Sequence, residues 1–297
     1  MTVLVVGGAN LDVLARSTAA LQHATSNPGT TTRTAGGVGR NVAENLARLG
    51  TPTRLLLAVG DDPAGAELLT RTQAAGVETI EVPWAGPTGT YTALLDHDGS
   101  LVAGVADMAA TAAIGPDQVT ERLVGEAEWL VLDGNLPLPT LERGLRLADE
   151  LGVPVVLDPV SAPKARLIAP LLTECRVQTI TPTADELAAL TSGGDPAELH
   201  GRGVEVVWLR EGARGSTLFR RGQAPVRVAL PPVTAVDVTG AGDAMLAAYV
   251  HALRLGADLP RAALEGAAAA MLTVQSPETV RRDLSPALIA AALEAAP

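Results

Sequence analysis

From Trp129 to Leu209 the chain alternates short apolar runs with amphipathic segments, a rhythm that a sheet threaded by crossover helices accommodates. Trp129–Leu132, Val153–Asp158, Val177–Ile180 and Val204–Leu209 read as buried strands. Thr140–Leu151, a stretch near Leu167–Leu172 and Ala184–Leu190 read as the helices between them. Strands joined in this way lie parallel. Val3–Val6 and Leu55–Val59 have the same composition. The second runs through Asp61, Asp62 and Pro63 into a helix ending near Ala75, with the aspartates as caps and the proline at the first helical position. The fold class expected is α/β with a mostly parallel central sheet.

Open sheets of this kind collect ligands at the carboxyl ends of their strands. Those ends carry Asn10 and Asp12, Asp133 and Asn135, Asp158, Thr183 and Glu186, and Arg210. Asn10 and Asp12 alternate along an extended segment, so they share a face and can bond neighbouring hydroxyls; the pair equally suits an Asx turn. Several of the others serve equally well as turn or cap residues, and Glu186 as a surface charge.

Two segments depart from this rhythm. Residues 13–34 are dense in Ser, Thr, Asn, Pro and Gly and read as loop plus short exposed strands, while Thr90–Leu95 and Leu101–Val105 flank a hairpin turn at Asp96–Ser100. Together, residues 13–34 and 88–108 are expected to form a small antiparallel sheet set apart from the body. A second hairpin is expected at Arg221-Gly222 before Val226–Leu230. From Leu259 onward the chain reads as Ala-rich helix, broken at Gln275-Ser276-Pro277.

The bulk numbers exclude whole classes of partner. A net charge of −11 argues against nucleic-acid and anionic-membrane surfaces, which need clustered Lys and Arg. Lys164 is the only lysine, so a P-loop ending in G-K-[ST] is ruled out. Cys175 is the only cysteine, which excludes an internal disulfide and fits a reducing compartment. No apolar run reaches membrane length, residues 1–8 are too short for a signal peptide, and a cytoplasmic location is expected.

Two glycine clusters carry the chemistry. Gly36-Gly37-Val38-Gly39-Arg40-Asn41 opens a helix that stops at Gly50. Its resemblance to a dinucleotide fingerprint is superficial, because the preceding residues 30–35 are polar. Glycine there lets a ligand lie against backbone, and Asn41 in the first turn can reach a hydroxyl. Asp237-Val238-Thr239-Gly240-Ala241-Gly242-Asp243 runs into a second helix. The backbone N–H groups of Gly240, Ala241, Gly242 and Asp243 can converge there on an anion. A carboxylate beside such a point can take a proton from an attacking hydroxyl; it can also simply cap the helix.

The pair of motifs, in this order and spacing, resembles the ribokinase-like (PfkB) sugar and nucleoside kinases. The resemblance implies a three-layer α/β/α fold forming one domain over residues 1–297, with a β lid, and an ATP-dependent kinase using Mg²⁺ and K⁺. It implies Asp243 as general base, with Gly240, Ala241 and Gly242 as the anion hole. Asn10, Asp12, Gly36, Gly37 and Asn41 would hold the acceptor. Thr183, Arg210, Gly212, Gly215, Thr239, Gly240 and Gly242 would hold the nucleotide. Glu186 would organise water on Mg²⁺, and Asp237 with Thr239 would hold the monovalent cation. Residues 25–29, 36–50, Asp133-x-Asn135-Leu136-Pro137 and Asp158-Pro159-Val160-Ser161 look like the family's pseudouridine-phosphorylating branch. That branch implies transfer to the 5′-hydroxyl of pseudouridine, with Thr25, Ser26 and Asn135 near the base; Asn27 is a further candidate.

Two departures from the family pattern stand out. Thr183 occupies the place of the usual Asn of N-x-x-E, and Arg210 stands where a small hydroxyl or Lys is frequent; it can contact phosphate or sit in a surface salt bridge. Ribose, uridine, adenosine or a ketohexose are the alternative acceptors, and a non-catalytic sugar-binding regulator is the alternative class. A homodimer through the lid is expected.

Overall fold

The computed structural model describes residues 2–295. Among these, the strands are β1 (Thr2–Val6), β2 (Asn10–Ser17), β3 (Gly29–Gly36), β4 (Thr53–Leu57), β5 (Val77–Glu81), β6 (Thr90–Leu95), β7 (Leu101–Asp107), β8 (Ala127–Asp133), β9 (Val155–Asp158), β10 (Val177–Ile180), β11 (Val204–Arg210), β12 (Ser216–Arg220) and β13 (Val226–Val228). The helices are α1 (Val38–Arg48), α2 (Pro63–Ala74), α3 (Ala109–Ala112), α4 (Glu121–Gly125), α5 (Leu138–Leu151), α6 (Ala162–Ile168), α7 (Ala184–Leu190), α8 (Pro196–Gly201), α9 (Ala241–Arg254), α10 (Leu259–Val274) and α11 (Pro286–Glu294).

Alternation along the central strands builds the layers. Leu4 and Val6 of β1, Leu130 and Leu132 of β8, and Val155 and Leu157 of β9 enter one core, against α3 to α8. Their neighbours Val3, Val5, Val131 and Val156 enter the other, against α1, α2, α9 and α10. Both faces are therefore covered, as a parallel sheet requires. Nine strands form this sheet in the order β13-β12-β11-β10-β9-β8-β1-β4-β5. All neighbours from β11 to β5 pair parallel, and β12 and β13 add antiparallel at one edge. The chain has the ribokinase-like α/β fold.

A second sheet of four strands has the order β3-β2-β6-β7. Its outer pairings are antiparallel, and the central pair, β2 with β6, runs parallel. Every residue of β7 is exposed.

The expected helix near Leu167–Leu172 lies earlier, at Ala162–Ile168, followed by a separate 3-10 turn at Leu171–Thr173. Pro170 accounts for the break, since it cannot continue a helix through that point. The short strands expected in residues 13–34 are two eight-residue strands, β2 and β3, that reach beyond both ends of that segment, and β5 has no counterpart in the sequence reading. Its mixed polar pattern belongs to an edge strand. Asp62 caps α2 as expected, accepting from the Gly65 N–H at 2.8 Å.

Trp208 fixes the seat of α9. Its ring is fully buried, its Nε1–H donates to Ser216 Oγ at 3.0 Å, and it packs on Tyr249 of α9 with centroids 4.6 Å apart. On the other side Gly266 of α10 leaves room for the indole; a Cβ there would lie 2.6 Å from it. Trp208→Ala is expected to destabilise by roughly 3–5 kcal/mol. Urea unfolding measures this, and a loss below 1 kcal/mol would show that α9 is held by other contacts.

Candidate active site

Three small residues before Asp243 let α9 begin where two cavities meet. Gly240 is the N-cap with φ +78, and a Cβ there would collide with the Thr279 carbonyl. Only glycine fits that backbone. At Gly242 a Cβ would lie 2.7 Å from Arg210 Nη1, so a side chain there would have to displace the guanidinium. Of the expected ring of donors, the Ala241 N–H is directed to the Val238 carbonyl at 3.4 Å, so Gly242 and Asp243 lead the ring.

On one side of this turn lies a cavity of about 330 Å³, bordered by Asn10, Asp12, Gly37, Asn41, Asn135 and Asp243, with Tyr91, Met108 and Thr111 completing the wall. On the other side lies a cavity of about 370 Å³ bordered by Arg210, Gly212, Gly215, Ala241, Gly242 and an apolar rim that includes Val233 and Met271. Thr239 and Gly240 face the first cavity; Ala241 and Gly242 face the second.

Asp243 is buried and accepts from Asn41 Nδ2 at 2.8 Å. Burial pushes its carboxyl up to about 8; the Asn41 bond opposes the shift, and the neighbouring charges of Asp158 and Asp133 add to it. Asn10 Nδ2 donates to Asp12 Oδ1 at 2.6 Å, and burial also raises the Asp12 carboxyl. Gly37, with φ +96, brings the start of α1 against the backbone of Gly8 and Ala9. Gly36 lies against the Asp12 carboxylate, where a Cβ would clash.

Asp133, legible as a polar strand end, ties the wall of the first cavity together. Its Oδ2 accepts from the N–H groups of Gly8 at 2.9 Å and Gly39 at 3.2 Å, and its Oδ1 from Asn135 N and Nδ2, both at 2.8 Å. Burial raises its carboxyl against these donors.

Arg210 is neither exposed nor a surface salt bridge. Its Nη1 and Nη2 grip Asp158 at 3.0 and 3.2 Å, and Nη2 also reaches Glu186 at 3.2 Å. Burial alone would lower its pKa, but the two carboxylates hold it above the ordinary value. Glu186 is buried as well, which removes the surface-charge reading, and it forms a capping box with Thr183. One guanidinium between two carboxylates leaves negative charge beside the second cavity. That hard-oxygen donor set suits Mg²⁺ held through water.

Asp237, half-buried, and Thr239, exposed, close a turn, Asp237 Oδ1 accepting from Thr239 N at 2.8 Å and Oγ1 at 2.7 Å. Thr25 and Ser26 lie on the exposed loop 18–28 and do not border the first cavity. Asn27 closes that loop by bonding the backbone of Gln22.

The pfkB family carbohydrate kinase model matches residues 1–285. The chain belongs to the pfkB family of carbohydrate kinases. It is 34% identical over 264 residues to the pseudouridine kinase of Escherichia coli (strain K12), covering 82% of this chain and 81% of that one. A carbohydrate kinase from Agrobacterium tumefaciens superimposes with a TM-score of 0.88 at 33% identity, over 100% of this chain and 98% of its own. Ribokinase of Arabidopsis thaliana, solved with ribose and ATP, gives 0.84 at 25% identity, over 99% and 98%. This pfkB kinase is an ATP-dependent phosphotransferase for a sugar or nucleoside, and ribokinase-like kinases use ATP with a divalent metal. No helix among its described residues is long and apolar enough to cross a membrane.

The raised Asp243 carboxyl has a measurable signature. The folded group keeps its proton up to about pH 8, whereas an unfolded aspartate releases it near pH 4. The stability it contributes is full below the lower value and is lost as pH rises through the upper one. Asp243→Asn removes that dependence and still accepts from Asn41. Thermal scans should show similar melting temperatures near pH 4 and a variant several degrees more stable at pH 9. Parallel pH curves would mean that Asp243 titrates as an ordinary carboxylate.

Proposed function

We propose that this kinase transfers the γ-phosphoryl group of ATP to the 5′-hydroxyl of pseudouridine, giving pseudouridine 5′-phosphate. The observation that carries the reading is the two-sided first turn of α9. The acceptor-side cavity presents a desolvated carboxylate, and the other side presents backbone donors and a guanidinium. An alcohol and a triphosphate entering from opposite sides meet at Asp243.

In this mechanism Asn10 and Asp12 hold ribose hydroxyls, Gly36 and Gly37 let the sugar lie against backbone, and Asp243 takes the 5′-hydroxyl proton. The N–H groups of Gly242 and Asp243, with Arg210, receive the charge on the transferring group, Gly240 and Ala241 shape the turn that presents them, and Gly212 and Gly215 line the nucleotide. Glu186 and Asp158 would hold Mg²⁺ through water, Thr183 orienting Glu186, and the ion would neutralise charge on the phosphates when bound. Asp237 and Thr239 would hold K⁺. Positioning supplies most of the rate, because little covalent chemistry falls to the protein.

Pseudouridine is favoured over other acceptors by the similarity to the Escherichia coli enzyme and by the Asn135 amide. Its Nδ2 is committed to Asp133, which leaves Oδ1 as an acceptor for the ring N–H that pseudouridine has and uridine lacks. Thr25 and Ser26 would reach the base only when the sheet of β2, β3, β6 and β7 closes as a lid and excludes water. Ribose is the second reading, supported by the ribokinase likeness.

ATP consumption with pseudouridine, uridine, adenosine, ribose and fructose separates the readings. Pseudouridine is expected to turn over at least tenfold faster than uridine, and turnover only with ribose would replace it. Asp243→Asn is expected to keep nucleoside affinity and lose turnover by roughly 10²-fold or more. A wild-type rate would remove the base assignment.

The lid also supplies a surface for a second copy. Leu101, Val102 and Val105 project from β7 with 59%, 42% and 69% of their surface exposed. The dimer proposed through this face should appear in light scattering at micromolar concentration and be lost in Val105→Lys; a monomeric wild type would refute it.

A further inference from the structure

Helix α1 buries an arginine that the mechanism above does not use. Arg40 is 3% exposed. Its Nη1 donates to the Ala35 carbonyl of β3 at 3.0 Å and to Asn41 Oδ1 at 2.7 Å, and its Nη2 donates to Glu44. Glu44 also holds Arg48, through Nε at 2.9 Å. Such burial is unfavourable: burial itself, then Arg48 and Arg71, bring the Arg40 guanidinium down to about 10. Its Nε has no hydrogen-bond partner.

The chemistry of the contact settles an ambiguity. A primary amide can sit in either of two senses, carbonyl one way or amino group the other. A guanidinium has donors and no acceptor, so it can face only the carbonyl end. With Oδ1 turned to Arg40, Nδ2 must point the opposite way, at Asp243 Oδ2. In the reversed sense, donor would face donor at Arg40 and oxygen would face oxygen at Asp243.

We propose that Arg40 is a positioning residue for the general base: it fixes the sense of the Asn41 amide so that the Asp243 carboxylate always meets a donor. Through Ala35 the same guanidinium ties the C-terminal end of strand β3 to α1. The proposal rests on Asp243 being the proton acceptor in the proposed transfer.

Asp243 faces charge from several elements. Asp133 on β8 and Asp158 on β9 disfavour its ionisation, Arg210 on β11 favours it, and Arg40 on α1 favours it from behind Asn41. Asp12 of β2 lies within reach of Arg40 and offsets part of that charge. Removing Arg40 frees the amide to turn and withdraws a cation, and both changes hold the proton more tightly on Asp243.

The test is the pH–rate profile of Arg40→Met and Arg40→Lys beside the wild type, with Asp243→Asn as control. Arg40→Met should move the acid limb up by about one pH unit and slow turnover roughly tenfold at pH 7, while KM for ATP changes less than twofold. Arg40→Lys keeps a donor-only cation at Asn41 and should leave the limb within about 0.3 unit of wild type. An unmoved limb in Arg40→Met, or the same shift in both variants, overturns the proposal, the latter because it would make bulk rather than donor character the cause. If Arg40→Met does not fold, Arg40→Gln replaces it. Its amide can offer Asn41 either end, so its limb should shift between the other two, and an unmoved limb again overturns the proposal. Turnover by Asp243→Asn would instead sink the base assignment, a different result from an unmoved limb beside an inactive Asp243→Asn.

Discussion

Three carboxylates buried near one another at the mouth of the parallel sheet set the terms for the rest of the molecule. Asp133, Asp158 and Asp243 repel one another in a medium that screens poorly, and each survives through a different compensation. Asp133 is satisfied by backbone N–H groups of Gly8, Gly39 and Asn135. Asp158 is satisfied by Arg210 and by the Val160 N–H. Asp243 receives one amide donor, and burial raises its carboxyl to about 8. The compensation dictates geometry. Gly7 and Gly39 must lack side chains because their backbones close on each other beneath Asp133, and Arg210 must be long enough to span two strand ends.

The division of labour follows from these three solutions. Asp133 spends its acceptors on holding the wall of the first cavity together, and Asp158 and Glu186 form a charged floor with Arg210. Asp243 alone of the three borders the first cavity, with one side-chain donor, and burial raises its carboxyl. Reactive groups commonly arise in this way, where burial is only partly compensated.

The layered body was legible because strands buried on both faces leave continuous apolar runs in the sequence. Val3 to Val6 and Trp129 to Leu132 are apolar throughout, as strands covered on both faces must be. The strands β2 and β3 were harder to read, because Thr30 to Arg33 face solvent and carry no core signal. Asp243, Asn41, Asn10 and Asp12 could be picked out from the glycines around them, and they border one cavity. Asp158 with Arg210, Asp133 with Gly8 and Arg40 with Asn41 could not be paired. Two of these contacts join residues remote in sequence, and the third joins neighbours whose side chains share no periodicity. The alternating charges of Arg40, Glu44 and Arg48 at helical spacing were the available clue to a buried ion-pair ladder. Such spacing more often marks a solvated face.

The central pairing of the small sheet joins Leu11 to Thr90, across α1, β4, α2 and β5. Neither half can find its partner by local search, and loop closure over that span must be met before the pairing returns any stability. The larger sheet carries a still longer closure, β1 on β8 with Val3 against Trp129, so both sheets depend on contacts between distant parts of the chain. The intervening segment is itself part of the body, since β4 lies beside β1 in the larger sheet and α1 and α2 pack on that sheet, so damage to β4 or α2 would disturb the central layers and the wall of the first cavity together.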